Sequence, residues 1–105
     1  MEQPVHVMAV ITARPGRRAE LLAAFKANVP NVHAEEGCIE YVATVDTPDG
    51  HPIQTRFGED TFVVVETWAS LAHLKAHGAA PHMAAYAAKT KDLIADRVIH
   101  VLSPA

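Results

Sequence analysis

The residues that could do chemistry in this chain crowd into one stretch, residues 62–86, FVVVETWASLAHLKAHGAAPHMAAY. Glu66 and Trp68 stand two apart in a run of Val and Thr, and on a strand such a pair shares a face. A carboxylate on an apolar strand is costly unless it is paired or used. Its structural use is an ion pair or hydrogen bond with a basic residue of a helix; its functional use is proton handling. His73, His77, His82 and Tyr86 follow within the next twenty residues. An indole, a carboxylate, imidazoles and a phenol on adjoining elements could converge on one pocket.

Each group has a bland use and a sharp one. Trp68 is core filling at a strand end or an aromatic wall for a flat ligand. His73 and His77 are i,i+4 on one helix face, a spacing that can hold a metal. No HExxH glutamate, cysteine cluster or Asp-rich loop supplies further ligands, so no metal site is expected. His82 follows Pro81 at a helix start, where a neutral imidazole could act as a base or hydrogen-bond a hydroxylated ligand. His33 falls close in register to Val29 and Val32 and could look into the same cavity. Tyr41 and Tyr86 are expected at the core edge, and Met83 on the apolar face of the last helix. Cys38 reads as a small buried hydrophobe. There is no GxSxG elbow, phosphate loop or GxGxxG fingerprint. The residues by themselves suggest a small, flat, weakly acidic organic ligand and do not name a reaction.

The elements that must position these groups follow from periodicity. Residues 5–13 are Val- and Ile-rich and read as a strand, broken by Pro15-Gly16. Residues 17–36 place Leu21, Leu22, Phe25, Val29 and Val32 at helical spacing, with Pro30 kinking the helix or marking its last turn and Gly37 stopping it. Residues 38–46 read as a second strand and 61–68 as a third. Between them, residues 47–60 form a loop too long for a tight hairpin, of the kind that serves as a lid or interface arm. Ser70 caps a short helix ending at Gly78; Pro81 opens another with Met83, Tyr86, Ala87, Thr90 and Ile94 on one face. Residues 97–103 close the chain as a strand. The order β-α-β-β-α-β is an α+β, ferredoxin-like antiparallel sheet with helices on one face. The strands are apolar on both faces, so the face away from the helices also needs cover. The simplest cover is the sheet of a second copy, giving a homodimer by sheet-on-sheet packing.

Bulk properties narrow the classes. With 105 residues, the chain is expected to form one domain, residues 1–105. A net charge of −3 without a basic stripe argues against nucleic acid. No apolar run approaches the ~20 residues that cross a bilayer, and the first ten residues lack a signal-peptide pattern. A single cysteine rules out an internal disulfide, so a cytoplasmic location is expected.

Several segments together resemble the antibiotic biosynthesis monooxygenase family of dimeric α/β-barrel proteins, and within it the small quinol monooxygenases. They are ARPG after the first strand, VPNVHAEEGCIEY (residues 29–41), VVETW (64–68), LAHLKAH (71–77) and PHMAAY (81–86), with the long loop and closing VIHVLSP. The resemblance spans nearly the whole chain. It implies a cofactor-independent monooxygenase that oxidises a hydroquinone or polyphenol with dioxygen, with neither metal nor flavin. Carried onto matching positions, it implies His77 or His82 as the base, with Tyr86 beside them. Trp68, Tyr41 and Met83 would bind substrate, Glu66 would support through hydrogen bonds, and His33 would join the pocket. Haem-degrading relatives use an Asn on the first strand, and VHVMAVITA has none. Two alternatives remain: an isomerase of a small phosphorylated or hydroxylated metabolite, for which Arg56 is the visible anion clamp, and a non-catalytic small-molecule-binding stress protein.

Overall fold

The computed structural model describes residues 2–105. Its strands are β1 (Val5–Ala13), β2 (Cys38–Thr44), β3 (Thr61–Trp68) and β4 (Ile94–Leu102). Its helices are α1 (Arg18–His33), α2 (Leu71–Gly78) and α3 (Pro81–Thr90), the last followed by a 3-10 turn at Lys91–Leu93. The strands pair antiparallel in the order β2-β3-β1-β4, a ferredoxin-like sheet. Strand β1 shows why the helices sit on one side: Val5, Val7, Ala9, Ile11 and Ala13 are buried, while the residues between them are at least partly exposed. From α1, Leu21, Phe25 and Val32 pack onto that face. Phe25 stacks on Tyr41 at 5.2 Å between ring centroids and meets Phe62 edge-on.

Register puts Val7, Glu66 and Tyr41 side by side on the helix-facing side, with Ala9, Val64 and Ala43 in the next row. Strand β4 adds Val101, Ile99 and Arg97 to this side, opposite Val7, Ala9 and Ile11. The other side carries Val42, Val65, Met8 and His100 in one row and Val63, Val10 and Val98 in the next. Both faces are apolar, as the strand sequences predict. Val42, Val98 and Leu102, all on the side away from the helices, are more than two fifths exposed.

Element boundaries differ from expectation in three places. Helix α1 ends at His33 rather than residue 36, with Pro30 in its last turn. The break is set by Gly37, whose φ of +83° suits glycine, and a Cβ there would collide with the His73 ring. Strand β2 ends at Thr44 rather than 46, because the Asp46 carboxylate turns away to accept from the Phe57 and Gly58 amides. Those two bonds hold the Asp46 carboxyl below its ordinary range. Ile94, expected on the face of the last helix, instead opens β4. The 3-10 turn ends at Leu93, and Ile94 is extended and pairs with Ala13 across a bulge. Ser70 and Pro81 behave as the sequence predicts: the Ser70 hydroxyl accepts from the His73 amide at 3.2 Å, and Pro81 takes the first turn of α3.

Candidate active site

A cavity of about 680 Å³ opens between the sheet and the helices, within the range of small-molecule sites. Its floor is the helix-facing side of β1 and β3, where Ala9 contributes only a methyl group and so leaves room. Phe25, Leu74, Met83 and Tyr86 wall it from the helices, while Ile99 and Arg97 of β4 line its open flank. No residue of 47–60 lines it; in this chain the loop folds toward the other side of the sheet, where Phe57 and Gln54 approach Met8 and Val63.

Two proton-handling groups face this cavity. Glu66 is 6 % exposed, and its Oε1 accepts from Trp68 Nε1 at 3.0 Å. Burial pushes its carboxyl up; the indole bond and the electrostatic influence of His77 and Arg97 offset only part of that rise. His77, also 6 % exposed, is wedged between rings, with centroids 4.6 Å from Trp68 and 5.4 Å from Tyr41. Its Nδ1 lies 2.9 Å from Glu35 Oε2. A carboxylate accepts, so Nδ1 carries a proton, and in the neutral ring the lone pair then belongs to Nε2. The two phenols are poor bases here. Burial raises the Tyr41 hydroxyl, with Glu66 adding to the effect, and burial likewise raises that of Tyr86.

The structure thus gathers Glu66, His77, Tyr41, Met83 and Tyr86 around one cavity, and sets three other predicted residues apart. Trp68 does not line this cavity: it is fully buried and lies against His77, because the strand end that carries it is roofed by helices. His82 does not line the cavity. It stands on the far side of Glu35, with Nε2 3.0 Å from the same Oε2. His33 looks away; it is largely exposed at the end of α1, with Nε2 3.2 Å from the Tyr41 carbonyl oxygen. The i,i+4 pair also separates. His73 Nδ1 meets the Ser70 hydroxyl at 2.7 Å while His77 turns to Glu35. Among the described residues, no group of three or more His, Cys, Asp or Glu side chains is arranged to hold a metal.

Two features of the site escape sequence reasoning. Glu35 lies in the segment between α1 and β2, and only the fold brings it to α2 and α3. Its signal was a carboxylate beside a chain-reversing Gly37, which no spacing rule links to a histidine forty-two residues on. Arg97, not Arg56, supplies the guanidinium at the cavity, and Lys91 joins it. Arg97 makes no ion pair among the described residues.

Comparison with known proteins adds to this geometry. Residues 4–89 match the family described as antibiotic biosynthesis monooxygenase. The chain is 40% identical over 100 residues to an Escherichia coli K12 protein named "Probable quinol monooxygenase YgiN", covering 93% of this chain and 95% of that one. Among solved structures, PA3566 from Pseudomonas aeruginosa superposes with a TM-score of 0.82 at 27% identity, over 100% of this chain and 97% of the other. Rv0793 from Mycobacterium tuberculosis does so with 0.78 at 29% identity, over 97% and 95%.

Proposed function

The chain belongs to the antibiotic biosynthesis monooxygenase family, and from that premise we propose that it oxidises a hydroquinone or polyphenol with dioxygen, without a cofactor, using His77 as the base. The observation that carries this reading is His77 itself. It is buried at the cavity, its Nδ1 is committed to Glu35, and its Nε2 is left to the cavity. The resemblance to a named quinol monooxygenase supplies the substrate class.

The chemistry suits such a site. His77 Nε2 takes a hydroxyl proton from the bound quinol, and the resulting phenolate is a far better one-electron donor than the phenol. One electron passes to dioxygen, giving a semiquinone and superoxide. Their recombination at a ring carbon gives a peroxide, which takes the proton back from His77. Loss of the ring hydrogen and departure of the distal oxygen leave a hydroxyquinone, with one oxygen atom in the product and the other in water. Without recombination, the same pair yields quinone and hydrogen peroxide. The apolar walls exclude water and strengthen each charge interaction. Arg97 stabilises the developing anion at the open flank, and Tyr41 and Tyr86, kept neutral, act as hydrogen-bond donors. Glu66, held by Trp68, supports the ring edge.

Cover for the open flank and for the bare sheet face comes, in this reading, from a second copy packed sheet on sheet. The exposed Val42, Val98 and Leu102 support it, and the loop side chains Ile53 (85% exposed) and Phe57 (56%) would join the interface.

The test is oxygen uptake by purified, metal-stripped protein supplied with several reduced quinols. Uptake well above autoxidation is expected; a rate equal to autoxidation for every quinol overturns the proposal. Arg97 and Lys91 favour one competing reading, an isomerase that clamps a phosphorylated or hydroxylated metabolite. That reaction consumes no oxygen, so the same electrode trace separates the two.

A further inference from the structure

We propose that Glu35, His82 and Asn28 form a hydrogen-bonded chain of positioning residues that locks His77 in the tautomer a base requires. The inference rests on reading His77 as the base; His82 then has a defined role that is not proton abstraction.

The chain can be followed atom by atom. Asn31 Nδ2 donates to Asn28 Oδ1 at 2.9 Å, which fixes the Asn28 amide so that its Nδ2 points to His82 Nδ1 at 3.2 Å. An amide nitrogen only donates, so His82 Nδ1 must accept and His82 Nε2 must carry the proton. That nitrogen donates to Glu35 Oε2 at 3.0 Å, and the same oxygen accepts from His77 Nδ1 at 2.9 Å. Every donor and acceptor in the series agrees in direction, and the series ends at the one ring nitrogen left free, His77 Nε2.

Burial grades along the same line. Side-chain exposure is 8% at His77, 16% at Glu35 and 25% at His82. Each link is therefore better shielded toward the cavity, where a misdirected imidazole would do most harm. The segment after α1, together with α2 and α3, contributes one member each to the Glu35 junction, so it also ties three elements around the base. A carboxylate that receives two N–H groups on one oxygen is held in place more firmly than one that receives a single bond. The arrangement follows the logic of an acid–histidine pair with one further histidine behind the acid.

The test is ring-nitrogen NMR of ¹⁵N-histidine-labelled protein, with steady-state kinetics on the same samples. In the wild type, His77 is expected to show a protonated Nδ1 and an imine-type Nε2. In Glu35→Gln and His82→Phe, both His77 nitrogens are expected to shift toward a tautomer mixture. kcat should fall by about tenfold or more, since tautomer control is worth that much elsewhere. KM should stay within about twofold, because the lost bonds do not touch substrate. His82→Gln, whose amide donates to Glu35 and whose carbonyl accepts from Asn28, should restore the wild-type spectrum and most of kcat. A wild-type His77 protonated at Nε2 overturns the proposal. So do variants whose His77 spectrum and kcat match the wild type, and so does His82→Gln behaving like His82→Phe. The spectrum reads the tautomer whether or not the protein turns over. Failure of His77 as the base would instead appear as retained turnover in His77→Ala.

Discussion

On the helix-facing side of the sheet, Glu66 lies between Val7 and Tyr41, Trp68 backs His77, and a cavity opens over Ala9. On the other side, the same strands present Val42, Val98 and Leu102 with little over them, and the polar pairings are between hydroxyls, an exposed imidazole and a backbone carbonyl: His6 Nδ1 with the Thr67 hydroxyl at 3.1 Å, Thr12 with Thr61 at 3.0 Å, and the Thr44 hydroxyl with the Val63 carbonyl at 2.7 Å. Both faces are built from the same strands and from similar apolar residues. What separates them is how helices and loops roof them. Helix α2 brings the His77 imidazole over one face, where it shares a cavity with the desolvated Glu66 carboxylate. The second face stays largely uncovered. The comparison teaches that a two-residue step along β3 keeps a side chain on the same face, whereas a one-residue step moves it to the opposite one.

Substitutions test this contrast, beginning with the largest expected effect. His77→Ala should lower kcat/KM for quinols by about 10²–10⁴, the range for loss of a general base, measured by initial oxygen uptake. Trp68→Ala should destabilise the fold by about 3–5 kcal/mol through the cavity it leaves, measured by urea denaturation. Trp68→Phe should cost less and act chiefly by freeing Glu66 from its indole donor. On the bare face, Val98→Asp should leave the protomer folded but shift its mass by sedimentation from dimer toward monomer, whereas a charge at buried Ile11, across the sheet, should unfold it.

The pH response of Glu66 offers a finer test. Burial raises its carboxyl above the ordinary value of 4.5, so the folded protein holds this proton more tightly than the unfolded chain. Stability from this group is present below the ordinary value and is lost as pH rises through the raised one. Glu66→Gln cannot lose it. The melting temperature of Glu66→Gln relative to the wild type should therefore rise from acidic to neutral pH, as scanning calorimetry would show. The smallest effect belongs to His33→Ala, whose ring bonds only a backbone carbonyl outside the cavity; its turnover should stay within about twofold of wild type.

Much of this was legible in the sequence. The strand at Thr61–Trp68 has the expected bounds, and Ser70, Gly78 and Pro81 punctuate the helices as their chemistry requires. The two-sided apolar pattern of β3 also appears as two apolar faces. What the sequence did not show was long-range. Nothing local says that Glu35 reaches both His77 and His82, that Arg97 of an edge strand lines the cavity, or that Trp68 lies behind the pocket instead of facing it. Side-chain direction at a strand end depends on which helix roofs it, and that is decided by packing across the whole chain.

The central claim is that the protein itself deprotonates its substrate at His77. The direct measurement is an anaerobic titration of the wild type and His77→Ala with quinol. Binding would be followed by fluorescence of the single tryptophan, Trp68, and ionisation by ultraviolet absorbance. The account predicts quenching in both proteins and a phenolate band in the wild type only. A neutral-quinol spectrum in the bound wild type, or a phenolate band that survives in His77→Ala, would contradict it.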